Sequence, residues 1–223
     1  IISYFAMLRR GEALRLRLKD IIIISKENNS FLFNVTSTTE GKTKSRKSRP
    51  IYTVIPPAMA QLIRILIDIK KDMPPNTPLI SFNEEKKNDR QKHYFLPVTK
   101  ALKAVCGEEV RFHHLRKSGI HLFMQQALQF AYDAPVHDLS FTPDLADMLT
   151  PDIIRERFAY WVEDRPPTFI NDQQLFDQVC SQIGHEHYAT TRFFYLHGIQ
   201  WVFPYIRPQQ KICTVQDFTH LEL

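Results

Sequence analysis

Three short apolar runs bounded by polar turns stand near the start of the chain: Ile21-Ile22-Ile23-Ile24, Phe31-Leu32-Phe33-Asn34-Val35 and Ile51-Tyr52-Thr53-Val54. Runs of four or five β-branched and aromatic residues predict strands, because such side chains suit a pleated, half-buried surface and are crowded in a helix. Asn28-Asn29 marks a tight turn between the first two, and the polar stretch 36–49 a long basic hairpin loop before the third. The three form a small antiparallel sheet. Elsewhere the apolar period is helical. Residues 3–18 place Ala6, Leu8, Ala13, Leu14 and Leu16 between Arg and Glu, and Pro56-Pro57 opens a helix striped by Met59, Leu62, Ile63, Ile65, Leu66 and Ile69. Pro74-Pro75-Asn76-Thr77 ends that region. A short extended piece over 79–82 and a solvated loop over 84–92 come next. Further helices are predicted over 95–105, 114–130, 151–162, 173–183 and 189–203. The pattern is α+β, mostly helical, with a small antiparallel β-sheet.

Composition changes this picture in two places. Hydrophobic residues make up 43% of the 223 positions and charged residues 24%, which suits a chain that buries a core in one or two domains. No apolar run approaches the roughly 20 residues that cross a bilayer, and no signal peptide is read. The opening on Ile1 in apparently mid-helical sequence reads as a fragment cut from a longer protein at a domain boundary. Cys106, Cys180 and Cys213 are odd in number and far apart, the pattern expected of reduced thiols in a cytoplasmic protein.

Charge is distributed unevenly. The formal net charge is +5, yet residues 133–172 hold nine acids against Arg155, Arg157 and Arg165. That stretch carries −6 and the rest of the chain +11. A basic body is interrupted by an acidic segment of short helices and prolines, and the basic excess permits nucleic-acid binding. Six glycines and no glycine-rich phosphate loop argue against nucleotide binding. His185-x-His187 with Cys180 lacks the second ligand pair of a zinc site.

Four strings hold the candidate chemistry: Arg9-Arg10-Gly11-Glu12, His113-His114-Leu115-Arg116, Gly184-His185 and Tyr195-Leu196-His197. Attack on a phosphodiester builds negative charge on the non-bridging oxygens. A metal-free site neutralises it best with guanidinium, which stays charged and forks onto two oxygens. Arg9 and Arg116 are the two clamps. Glu12, at i+3 from Arg9, is placed to orient it, and His113 lies one helical turn from Arg116. His114 points elsewhere, toward packing or a backbone contact.

In combination these strings resemble the catalytic boxes of the tyrosine recombinase (phage-integrase-like) family. Arg9-x-x-Glu12 running into Asp20-Ile21 resembles the first box, His113-x-Leu115-Arg116-Lys117-Ser118 the second, and Gly184-His185 … Thr190-Thr191 … Tyr195-Leu196-His197 the third. The resemblance implies the DNA breaking–rejoining fold over 1–223, without the N-terminal core-binding domain. It implies a site-specific recombinase or integrase that cuts and rejoins DNA through a 3′-phosphotyrosyl bond, with no metal, cofactor or ATP. The implied catalytic set is Arg9, Lys44, His113, Arg116, His185 and Tyr195, with Lys42, Arg46, Lys47, Arg49 and Lys117 on DNA. Lys42 and Lys44 both match the lysine that protonates the leaving 5′-oxygen: K-T spacing favours Lys42, K-x-x-x-S-R favours Lys44. Phe194 stands where the family's tyrosine usually does, and Tyr195 follows it; Tyr188 and Tyr205 are the other nearby tyrosines. Residues 131–172 then read as an acidic insertion, a partner surface or regulatory flap, and 207–223 as a tail. The expected partners are double-stranded DNA and three further copies in a DNA-bound tetramer, with the isolated fragment monomeric. A type IB topoisomerase-like nicking–closing enzyme and a DNA-binding module without cleavage are the alternatives.

Overall fold

The structure, a computed structural model, describes residues 1–43, 48–82, 85–132, 148, 150–162 and 172–185. Among them lies one three-stranded antiparallel sheet, β1 (Ile21–Ser25), β2 (Ser30–Val35) and β3 (Arg49–Val54), in the order β1-β2-β3. Helices account for most of the rest: α1 (Ile2–Phe5), α2 (Arg10–Arg15), α3 (Pro57–Ile69), α4 (Lys87–Arg90), α5 (Leu96–Cys106), α6 (Phe112–Tyr132), α7 (Pro151–Val162) and α8 (Asp172–Ile183). The fold is α+β and mostly helical, as the pattern predicts.

Register explains which sheet face is buried. Ile21 pairs with Phe33, Phe33 with Ile51, Phe31 with Thr53 and Val35 with Arg49, so these side chains share one face. On it Phe31, Phe33, Val35 and Ile51 are buried; the other face is exposed at Ile22 and Ile24 of β1 but buried at Tyr52 and Val54 of β3. Thr53 on the buried face donates its hydroxyl to the Phe5 carbonyl, tying the sheet to α1. The long helix α6 crosses beneath and contacts α1, α7 and α8. Its closest approach is at Gly119, where a Cβ would lie 1.8 Å from the Tyr4 carbonyl oxygen.

Several local expectations need correction. Residues 3–18 form two short helices rather than one, because Met7 adopts a left-handed φ of 51° and Arg9 is extended. Of the solvated loop expected over 84–92, the described part is not free. From Lys87 the chain is helical, with a π turn over Gln91–Phe95 leading into α5. The cause is Arg90, buried against the Leu14 carbonyl and the Glu40 carboxylate. Residues 79–82 form no strand; the nearby pairing is the single bridge Arg17–Pro78. The described helix of the acidic segment, α7, packs into the body. Phe158 stacks on Phe123 and Phe130 at 5.9 and 4.8 Å, and Glu156 accepts from Tyr52 and Asn28. The predicted helix 189–203 and the tail 207–223 lie outside the described residues. Among the described residues no helix is long and apolar enough to cross a membrane.

The Gly119 contact predicts that Gly119→Ala forces α1 and α6 apart, at a cost of about 1–3 kcal/mol or more. Urea unfolding should show a lowered midpoint with an unchanged slope; an unaltered midpoint would contradict this helix contact.

Candidate functional site

The last carbonyls of any α-helix lack partners within it. In α8 the last two, of Gln182 and Ile183, are taken up by arginines from distant parts of the chain, and a third arginine takes the carbonyl of Gly184 just beyond. Arg49 Nε donates to the Gln182 carbonyl at 2.9 Å, Arg116 Nη2 to Ile183 at 2.7 Å and Arg9 Nη2 to Gly184 at 3.4 Å. The helix end itself turns on Gly184, whose φ of 76° lets the amides of Gly184 and His185 fold back onto the Cys180 carbonyl at 2.8 and 3.0 Å. Glycine is required there twice over, since a Cβ would also lie 2.6 Å from the Arg49 guanidinium. Cations at a helix C-terminus also complement its dipole, worth up to about 2 kcal/mol in partly buried settings. Charge-assisted hydrogen bonds of about 1.5–3 kcal/mol each are therefore the larger contribution.

Glu12 organises the cluster. Its carboxylate accepts from both ends of the Arg49 fork, at 3.0 and 2.9 Å, from Arg9 Nη1 at 3.0 Å and from the Arg9 backbone N–H at 2.8 Å. Arg9 and Glu12 are thus an N-terminal residue and its cap acceptor at the start of α2, rather than neighbours on a continuous helix. Glu12 is only 3% exposed. Burial alone pushes its carboxyl up, but the hydrogen bonds and charge of Arg49, then those of Arg9, outweigh this and hold it at about 2. One carboxylate serves two guanidinia, so Arg9, Arg49 and Glu12 together carry +1 and Arg116 adds to it.

The two arginines expected to act as clamps differ in access. The Arg9 side chain is 21% exposed, whereas Arg116 is 1% exposed and also donates to the Met7 carbonyl. His113, at the start of α6, reaches solvent. Packing under its ring, then the charges of Arg116, Lys117, His114 and Arg9, lower its pKa, so the neutral imidazole is favoured. His114 accepts the Arg111 backbone N–H at 3.0 Å, the backbone contact expected of it. Lys117 is half-buried on the same helix, and His185 follows directly from the clasped turn.

The basic loop is held by both legs. Arg15 donates to the Gly11 carbonyl at 2.9 Å and the Lys42 carbonyl at 3.1 Å, which fixes the incoming leg to α2 and leaves the Lys42 side chain exposed. The outgoing leg ends in Arg49, which corrects an expectation. Read as a DNA contact, Arg49 is 5% exposed and faces inward onto Glu12 and α8. Sequence did hold a signal: Arg49, Ile51 and Thr53 alternate on the buried face of one strand. Arg15 and Arg90 were missed for the same reason, that a charged side chain reads as solvated until its partner is known. Lys44, Arg46, Lys47 and Tyr195 lie outside the described residues. Structure therefore brings together Arg9, Arg116, His113 and the His185 turn. Among the described residues no cluster of three or more His, Cys, Asp or Glu side chains is placed to hold a metal.

No protein-family model, no curated protein and no solved structure matches the chain.

The depressed Glu12 value sets a pH window. Its contribution to stability is complete above the ordinary carboxyl value of 4.5 and is lost as pH falls toward about 2. In energy this is about 3 kcal/mol. Glu12→Gln, which leaves Arg49 buried without its counter-charge, should cost about 3–5 kcal/mol at pH 7. Urea titrations from pH 7 to 2 should show the gap between variant and wild type closing below pH 4.5. A gap constant across that range would mean that Glu12 is not the ionised centre of the cluster.

Proposed function

We propose that the protein is the catalytic domain of a tyrosine recombinase, with the DNA breaking–rejoining fold, and that it cuts and reseals DNA strands without metal or ATP. One observation carries this reading. The first box, the second box and the segment Ile183–His185 at the start of the third, whose contacting residues stand 175 and 67 positions apart in the chain, meet at the end of α8. Arg9, Arg116 and the Gly184-His185 turn come together there around an excess of positive charge. A small antiparallel sheet flanks them, and its basic loop is tied to the same helix α2.

In this mechanism Arg9 receives a non-bridging phosphate oxygen, and Arg116 adds its field from below. His113, its pKa lowered first by burial and then by its cationic neighbours, is able to accept or share a proton at the phosphate. Tyr195 enters on the sequence alone. Its phenolic oxygen attacks phosphorus, the P–O5′ bond breaks, and the departing 5′-oxygen takes a proton from Lys44 or Lys42. The phosphotyrosyl ester conserves the bond energy, so a 5′-hydroxyl reverses the step. Lys42, Arg46, Lys47 and Lys117 supply contacts to flanking phosphates, and a tetramer pairs two DNA sites. A second reading has one observation in its favour. Arg116 is 1% exposed with its guanidinium on two backbone carbonyls, which suits a DNA-binding module that does not cleave.

A nicked suicide duplex, from which the cut 5′-fragment diffuses away, separates the two. The expected result is a covalent protein–DNA adduct, absent in Tyr195→Phe and reduced about 100-fold or more in Arg9→Ala. An adduct that persists in Tyr195→Phe would overturn the nucleophile, and DNA binding without any adduct by the full-length protein would select the non-cleaving module. Relaxation of a supercoiled plasmid lacking paired sites would instead indicate a topoisomerase-like nicking–closing enzyme.

A further inference from the structure

We propose that Arg49 is a positioning residue: it couples the basic loop to the His185 turn through the Glu12 carboxylate, and so sets where Arg9 and His185 stand. The coupling rests on geometry. Arg49 is the first residue of β3, where the loop re-enters the sheet. Its two terminal nitrogens grip the two carboxylate oxygens of Glu12, and its Nε grips the Gln182 carbonyl. The planar guanidinium thus serves two partners from two edges at once, a task that a lysine ammonium, a single point on a flexible stem, does not reproduce.

The surroundings are cut to this group. Gly184 sits so close above it that any Cβ would displace it. Glu12, held on one side by Arg49, grips Arg9 on the other. A shift of Arg49 therefore reaches three places: the loop leg that follows residues 44–47, the α8 end that precedes His185, and the carboxylate that orients Arg9. Arg15 holds the opposite leg at the Lys42 carbonyl, so α2 becomes the common reference for the loop and the turn. Exposure argues against direct contact with a ligand, since Arg49 is buried while Arg9 is partly open. The identity of the anion so served rests on the DNA-joining reading; the tie itself does not.

The test compares the full chain with Arg49→Lys, which keeps the charge and loses the fork. Hydrogen exchange read by mass spectrometry over residues 180–185 should accelerate about tenfold or more, with β1 and β2 unchanged. Adduct formation at saturating suicide duplex should fall about tenfold, with its pH profile displaced, while the dissociation constant for DNA changes less than about threefold. Wild-type exchange at 180–185 in Arg49→Lys would overturn the proposal. So would losses of affinity and of adduct rate by one common factor, the mark of a direct DNA contact. Should Arg49→Lys fail to fold, Gly184→Ala, which displaces the guanidinium from the turn, is expected to give the same exchange signature, and its absence would again overturn the proposal. Should the wild-type chain form no adduct, the DNA-joining reading falls, and the exchange measurement alone decides whether Arg49 ties loop to turn.

Discussion

A carboxylate shared between two guanidinia is the interaction on which the rest of this structure depends. Glu12 is almost wholly removed from water, and an isolated ionised carboxylate in that position would carry a desolvation penalty of several kcal/mol. Arg49 and Arg9 offset it, and in doing so they bring β3 and the start of α2 to a common point. The same two arginines then reach beyond the carboxylate to the end of α8. Charge neutralisation, sheet placement and helix capping are thus one network, and no member of it can be moved alone. The network thereby fixes where the guanidinia of Arg9 and Arg49 stand relative to the end of α8.

The elements of this fold were legible wherever one face is buried, and the site only in part. β1, β2, β3, α3, α7 and α8 follow from apolar runs and stripes, although part of the apolar pattern is exposed: Ile22 and Ile24 in β1, and Leu62, Ile65 and Ile69 of the α3 stripe. The break at Met7 was not legible. A left-handed methionine is disfavoured locally and persists because tertiary contacts hold it, so propensity points the wrong way. Inward arginines were hidden for a related reason. Arg49 meets Glu12 from 37 positions away and Arg90 meets Glu40 from 50, and a charged residue reads as exposed until such a partner is brought to it. Arg9, His113, Arg116 and His185 could be singled out because their chemistry is scarce and their spacing ordered. How differently exposed the two clamps are could not be.

The acidic segment illustrates the difference between charge and place. Its composition separates it from the basic body, and a partner surface or regulatory flap is the expectation drawn from that charge. Yet α7, within it, carries Phe158 onto the aromatic rings of α6 and Glu156 onto the hydroxyl of Tyr52. Apolar burial and a hydrogen bond to the sheet decide where this helix sits. Asp152 and Glu156 of this helix line a cleft of about 850 Å³ formed with the β1–β2 turn and the start of α3.

The span of the arginine clasp also bears on how the chain reaches its native state. Its contacts close loops of 67, 133 and 175 residues onto one helix end. Loop closure on that scale is entropically costly and is recovered only when the helix end is docked, so the cluster belongs to the late, non-local part of folding. Docking of the end of α8 and assembly of the arginine cluster are therefore coupled through the same three long-range contacts.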